Sequence, residues 1–224
     1  MGPQASAYLL QKLVFLSRTL KLTDTNFPHI ILDSMPIPNF MLNLQNSHAA
    51  QSMIEVNIEK LEYFNPKCFA IACNTAHILL SDLKKITTIP FVSIIDEVIT
   101  KVESSGLHTV GILASPTTIK SHLYQHALFE REIDYLTPTK KECIKLAQII
   151  RCILDNKNLE GAKIELSYLA DTLAERGAEG IILGCTELPL LFEKTNSYQV
   201  FDSVEILAQA LITYYFSERG VSLS

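Results

Sequence analysis

Two stretches decide how this chain folds: Phe69-Ala70-Ile71-Ala72-Cys73-Asn74-Thr75 and Ile181-Ile182-Leu183-Gly184-Cys185-Thr186-Glu187-Leu188. In each, a short apolar run ends in a cysteine that is followed at once by threonine and other polar residues. Such a run, opening into a helical stretch, is how a parallel strand delivers chemistry to the edge of a sheet. The two lie half a chain apart, so the pattern predicts a site shared by two similar halves.

Outward from these stretches, short apolar runs alternate with longer helix-period segments. The predicted strands are His29 to Leu32, Cys68 to Ala72, Phe91 to Ile95, Thr109 to Leu113, Gly180 to Leu183 and Gln199 to Phe201. Helices are expected near Gln4 to Leu20, Ser47 to Phe64, Ala76 to Ile86, Thr117 to Phe129, Lys140 to Asp155, Ile164 to Arg176 and Ser203 to Ser217. Alternation of this kind implies an α/β fold of two pseudo-symmetric lobes, each a parallel sheet flanked by helices, with the site in the cleft between them. The halves join near Ile95 to Ser105.

Two thiols at two strand ends suit one chemistry in particular. Inverting a carbon centre by proton transfer needs a base on one face and an acid on the other, with the roles exchanging in the reverse direction. Cysteine serves both, because its ordinary pKa of about 8.5 leaves thiol and thiolate accessible. A buried cysteine is otherwise only a small hydrophobe, and Cys68, Cys143 and Cys152 are read that way.

At 224 residues, 48% hydrophobic and 19% charged, the chain is globular with material for a substantial core. A net charge of −5 without lysine or arginine clusters argues against nucleic acid or an anionic membrane as partner. No apolar stretch approaches the length of a membrane span. The N-terminus lacks a secretory pattern, and five cysteines without a C-x-x-C pair describe no disulfide framework. The expected location is the cytoplasm.

Cys73-Asn74-Thr75-Ala76-His77 and Gly184-Cys185-Thr186-Glu187-Leu188-Pro189 resemble the two signature motifs of the aspartate/glutamate racemase superfamily, in its aspartate racemase branch. Met1-Gly2-Pro3-Gln4-Ala5-Ser6 resembles the turn after that family's first strand, and Phe201-Asp202-Ser203 the start of its last helix. The resemblance therefore runs from end to end, and because that family's last helix returns to the first lobe it implies a first lobe of residues 1–97 plus 202–224 and a second of residues 98–201. It implies a racemase that needs no pyridoxal phosphate or other cofactor, with Cys73 and Cys185 as opposed acid and base at Cα. Asn74, Thr75 and Thr186 would grip the α-carboxylate of an amino-acid substrate, with Ser115 and Thr118 of Ser115-Pro116-Thr117-Thr118 supplying hydroxyls to the same end. Glu187 would tune a thiol or hold the substrate ammonium. A homodimer is the expected assembly.

Each assignment has a plainer reading beside it. Thr75 can cap a helix, Ser115-Pro116-Thr117-Thr118 is an ordinary helix start, and Glu187 can be a first-turn acid favourable to a helix dipole. His77, four residues after Cys73, offers a second metal ligand, but a closed zinc site wants four and no further cluster accompanies it, so no metal is expected. Asp202 with Ser203 reads as a helix cap, and Asp96 as part of the interlobe connection.

Three departures stand out against the resemblance. The family has a strand before its Met-Gly-Pro turn, whereas here Met1 is the turn, so the first lobe is expected to lack its first strand. Phe40, in Met35-Pro36-Ile37-Pro38-Asn39-Phe40-Met41, stands where aspartate racemases carry an arginine for the substrate β-carboxylate. Their second cation, a lysine, has no clear counterpart, Lys157 and Lys163 being nearest. Aspartate is the default substrate, with a non-acidic amino acid as the alternative. A cysteine hydrolase or isomerase, or a non-catalytic amino-acid-binding protein on the same scaffold, remains open.

Overall fold

The computed structural model describes residues 3–19, 27–42, 44–193 and 197–217. Its centre is a parallel four-stranded sheet of β3 (Thr109–Ala114), β4 (Asp134–Leu136), β5 (Gly180–Gly184) and β6 (Gln199–Asp202), in the order β4-β3-β5-β6. Along β3 and β5 the side chains alternate between faces, as a period of two requires. Val110, Ile112, Ala114 and Ile182 enter one buried cluster, while Leu113, Ile181 and Leu183 enter another. Both faces are therefore apolar and covered, which is why these strands read as continuous hydrophobic runs.

The second of these clusters receives α7 (Lys140–Leu154) and α8 (Leu159–Glu175) through Leu146, Ile150, Leu166 and Leu169. Thr139 opens α7 with a capping box, its hydroxyl accepting from the Glu142 N–H while the Glu142 carboxylate accepts from the Thr139 N–H. The first cluster receives α4 (Ile94–Ser104), α6 (Leu123–Phe129), α9 (Ser203–Ser217) and α1 (Pro3–Thr19). Helix α9 packs on both α1 and α4. Tyr8 and Lys12 of α1 fasten it through a hydrogen bond to Asp202 and an ion pair to Glu205.

The first lobe holds a smaller parallel pair, β1 (Phe69–Ala70) and β2 (Phe91–Val92), of two residues each. Helix α2 (Ser47–Glu62), a 3-10 turn at Thr75–Leu79 and α3 (Leu80–Ile86) surround it. Among the described residues this sheet has no third strand.

Several expected elements differ. The strand at His29 to Leu32 does not form, although the chain there is clear of any helix or turn. A ladder needs a neighbour about 4.8 Å away. Here an apolar cavity of about 520 Å³ is lined both by this segment, at Ile30 and Leu32, and by β1, at Phe69, with Leu9, Leu13 and Ile71 among the rest. Met1 and Gly2, assigned to a turn, lie outside the described residues.

The junction expected near Ile95 to Ser105 is helix α4, capped by Ser93, whose hydroxyl accepts the Asp96 N–H at 3.2 Å. The single helix expected from Thr117 to Phe129 is broken into α5 (Pro116–Lys120) and α6 by His122, which takes the left-handed conformation at φ 54°. Strand β4 was not foreseen, and α8 starts earlier than Ile164.

Candidate active site

Strand register assembles the site. Ala114 pairs with Gly184 and Leu183 with Asp202, so Ser115, Cys185 and Ser203 leave the large sheet together at its carboxyl edge. In the small sheet Ala70 pairs with Val92, and beyond β1 the chain bends at Ala72, with the Cys73 N–H donating to the Ile71 carbonyl at 2.8 Å. The first cysteine turn meets the carboxyl edge of the large sheet where Asn74 Nδ2 donates to Ser203 Oγ at 3.1 Å.

The sulfurs share one electrostatic site. Burial pushes the Cys73 thiol up to about 11, with the Glu187 carboxylate adding to the rise and the N–H groups of Ala76 and Thr75 opposing it. Cys73 still keeps some accessible surface. Burial also holds Cys185 well above the ordinary thiol range, reinforced by Glu187 and by the charge of Cys73. Cys185 Sγ donates to Glu187 Oε2 at 3.1 Å, and Thr186 Oγ1 donates to the same oxygen at 3.1 Å. Glu187 is 7% exposed.

Three further hydroxyls bond one another. Thr75 Oγ1, Ser115 Oγ and Thr118 Oγ1 lie 2.9 Å from one another, all buried. Three O–H groups in a triangle can each donate once round the ring, so all are satisfied without water. Thr75 comes from the first cysteine turn, and Ser115 and Thr118 from the second lobe. Ser115 also caps α5 through the Thr118 N–H, so the expected binding hydroxyl and the plain helix cap are the same atom.

Asn74 is also buried, and both ends of its amide are committed to protein: Oδ1 accepts from Tyr124 and Nδ2 donates to Ser203. Ser203 Oγ in turn donates to the Leu183 carbonyl at 2.8 Å. His77 is fixed beneath Cys73. Its Nε2 accepts the Ile94 N–H at 3.1 Å, so the ring proton sits on Nδ1, which donates to the Cys73 carbonyl at 2.9 Å. Burial lowers its pKa to about 4. No group of three or more metal-ligating side chains occurs among the described residues.

Phe40 stands apart from its expected role. It is 5% exposed within the first-lobe core cluster of Ile37, Ala50, Ile54 and Leu80, and Cys73 packs against the edge of that cluster. Its neighbour Met41 instead joins the second-lobe cluster that contains Cys185, Leu113 and Leu188. A strap from the first lobe thus reaches across, held where Thr117 donates its N–H to the Met41 carbonyl and its hydroxyl to the Phe40 carbonyl.

None of the described lysines or arginines is buried. Lys163 pairs with Glu193 at 2.5 Å and Lys157 is exposed. Asp202 accepts the Val204 and Glu205 N–H groups at the start of α9, as the cap reading requires.

Sequence reasoning overlooked Tyr124 and the holding role of Thr117. Tyr124 lies in no motif, and only the packed structure shows what it touches. Ser203 was legible, but as a cap rather than as a partner of Asn74.

Two lobes joined at a pair of strand-end cysteines, backed by hydroxyls and one carboxylate, define a protein built to act on a small polar molecule. The family profile described as Asp/Glu/Hydantoin racemase matches residues 1–211. The chain belongs to that family and is an amino-acid racemase of the type independent of pyridoxal phosphate. It is 22% identical over 223 residues to the broad specificity amino-acid racemase RacX of Bacillus subtilis, covering 98% of this chain and 97% of that one. The crystal structure of an aspartate racemase homologue from Pyrococcus horikoshii OT3 matches with a TM-score of 0.78 at 29% identity, covering 96% of this chain and 95% of that one. An aspartate racemase from Picrophilus torridus shares the fold, with a TM-score of 0.82 at 23% identity over 96% of this chain and 91% of that one. No helix among the described residues is long and apolar enough to cross a membrane.

Proposed function

We propose that the chain racemises an amino acid with an uncharged side chain, using Cys73 and Cys185 as the two opposed proton carriers and no cofactor. The observation that carries this reading is the charge inventory of the cleft. Two thiols and one buried carboxylate are present, and among the described residues no cation is buried. A substrate ammonium is welcome beside Glu187. A second substrate carboxylate would be buried near that same negative charge without a cationic partner, which is costly. Met41 offers an apolar surface near Cys185 instead. The aspartate expected by default is therefore the weaker choice, and the broad specificity stated in the name of the Bacillus subtilis relative accords with an uncharged substrate.

The geometry supports the following chemistry. The substrate α-carboxylate replaces the internal bonds of the Thr75, Ser115 and Thr118 triangle, so three O–H groups turn outward to it. Asn74 contributes as the rigid backbone of the first cysteine turn, since its amide is engaged. Burial raises both thiols and the Glu187 carboxylate adds to the rise; the substrate ammonium, placed near Glu187, offsets that added part, and one thiol ionises, its proton passing to solvent as the substrate enters. That thiolate removes the Cα proton. The opposite thiol gives its proton to the other face, leaving the thiolate on the second sulfur, so one turnover moves the negative charge across the cleft without net proton loss. Hydroxyls fixed before the reaction stabilise the enediolate-like intermediate, because they need not reorient as charge develops.

The test is a screen of single L-amino acids in deuterated water, followed by chiral analysis. A racemase of this type inverts the amino acid and washes deuterium into Cα. Cys73→Ala and Cys185→Ala should each abolish inversion. A hydrolase would give cleaved product, a binding protein would give neither, and preference for aspartate over alanine or homoserine would overturn the specificity.

A further inference from the structure

Tyr124 lies between the two cysteine turns and touches both. Its side chain is fully buried in α6, and its hydroxyl donates to Oδ1 of Asn74, the residue that follows Cys73. Its ring lies against Gly184, the residue that precedes Cys185. A Cβ added at Gly184 would stand 2.7 Å from Tyr124 Cε2 and 3.1 Å from Ala114 Cβ. Contact with backbone on one side and a hydrogen bond on the other thus come from the same end of one rigid phenol.

Asn74 closes the frame. Its amide is held from the opposite side by Ser203, which bonds the Leu183 carbonyl at 2.8 Å, two residues before Cys185. A tyrosine buried only for packing would be as well served by phenylalanine. Here the hydroxyl's acceptor and the ring's contact belong to the two residues that flank the thiols.

We propose that Tyr124 is the positioning residue that sets the gap between the thiols, acting on Cys73 through Asn74 and on Cys185 through Gly184. It touches no reacting atom. Its importance for catalysis rests on the two-thiol racemase reading, because two-face proton transfer tolerates little change in the spacing of its acid and base. A misplacement of about 1 Å costs on the order of a hundredfold in rate.

Tyr124→Phe keeps the ring and removes the hydroxyl, and Ser203→Ala loosens the amide from the other side. Two readouts are required: kcat and KM for the amino acid found in the screen, and the yield of Cys73–Cys185 cross-link formed by a short bis-alkylating reagent at alkaline pH. Tyr124→Phe should lower kcat by about tenfold or more with KM changed less than about twofold, and should lower the cross-link yield in protein that remains folded. Ser203→Ala should do the same more weakly, and the double variant should lose less than the product of the two effects, since both act through one amide.

Wild-type kcat and cross-link yield in folded Tyr124→Phe would overturn the proposal. So would a loss confined to thermal stability. The cross-link does not depend on turnover, so a wild type without racemase activity but with a Tyr124-dependent cross-link would refute the function and still support the strut.

Discussion

Replacing Phe40 with arginine separates two accounts of the strap. If position 40 faced the substrate, Phe40→Arg would add a cation for an acidic side chain and raise aspartate turnover. The structure places Phe40 among Ile37, Ala50, Ile54 and Leu80, with 5% of its surface exposed. Removing a fully buried phenylalanine forfeits about 1.5–3 kcal/mol of transfer free energy. A guanidinium in its place has no carboxylate partner in that cluster, and an uncompensated buried charge brings the total to about 4–5 kcal/mol. For a chain of this size each kcal/mol lowers Tm by about 2–4 °C, so a fall of roughly 10–15 °C is expected. Thermal unfolding followed by circular dichroism gives the shift, and aspartate kinetics on the same samples give the activity. A variant that melts within about 3 °C of wild type and gains aspartate turnover would show that the side chain reaches the cleft and that the packing argument is wrong.

Glu187→Gln removes the carboxylate that raises both thiols, so the pH at which Cys73 and Cys185 react with iodoacetamide should move down, and KM should rise as the ammonium loses its partner. Alkylation profiles unchanged or moved upward would contradict that electrostatic assignment. His77 is buried neutral with its pKa lowered to about 4, so between that pH and its unfolded value of about 6.5 the unfolded chain binds the extra proton. Stability should therefore rise with pH across this window and fall by about 3 kcal/mol on acidification through it. His77→Gln, less stable near neutrality, should show a flatter dependence in urea titrations, and an equal slope would remove His77 as the cause. In hydrogen exchange, the amides shared by β3 and β5 should outlast those of the β1–β2 pair, whose ladder spans two residues per strand. Equal protection would mean that the cavity beside β1 does not weaken the first lobe.

What the sequence disclosed depended on how local the cause was. Cys73 and Cys185 were legible because strand, turn and polar continuation are consecutive, and the cap at Asp202 and the helix of Ser203–Ser217 were legible for the same reason. Strand β3 could be read from Thr109 to Leu113 because both of its faces are buried and its apolar run is unbroken. Strand β4 escaped because Asp134-Tyr135-Leu136 lies at a sheet edge, with two of its three residues exposed, and has no apolar run to declare it. His29 to Leu32 failed in the opposite sense: its composition favours a strand, but pairing depends on a neighbour that the segment itself does not specify.

The same distinction separates the two layers of the site. The groups proposed to meet a substrate stand at strand ends, where the chain turns, and so they fall within the short motifs around Cys73 and Cys185. The groups that fix the spacing of those motifs come from wherever packing supplies them. Tyr124 is fifty residues from Asn74, and Ser203 is 129 residues from it. An interior tyrosine on an apolar helix has the same local pattern whether its hydroxyl meets a carbonyl, a water or the neighbour of a thiol. Its role becomes visible only when Gly184 is recognised as a position where an added Cβ would stand 2.7 Å from the Tyr124 ring, because that close approach joins the tyrosine to the second cysteine turn as the hydrogen bond to Asn74 joins it to the first.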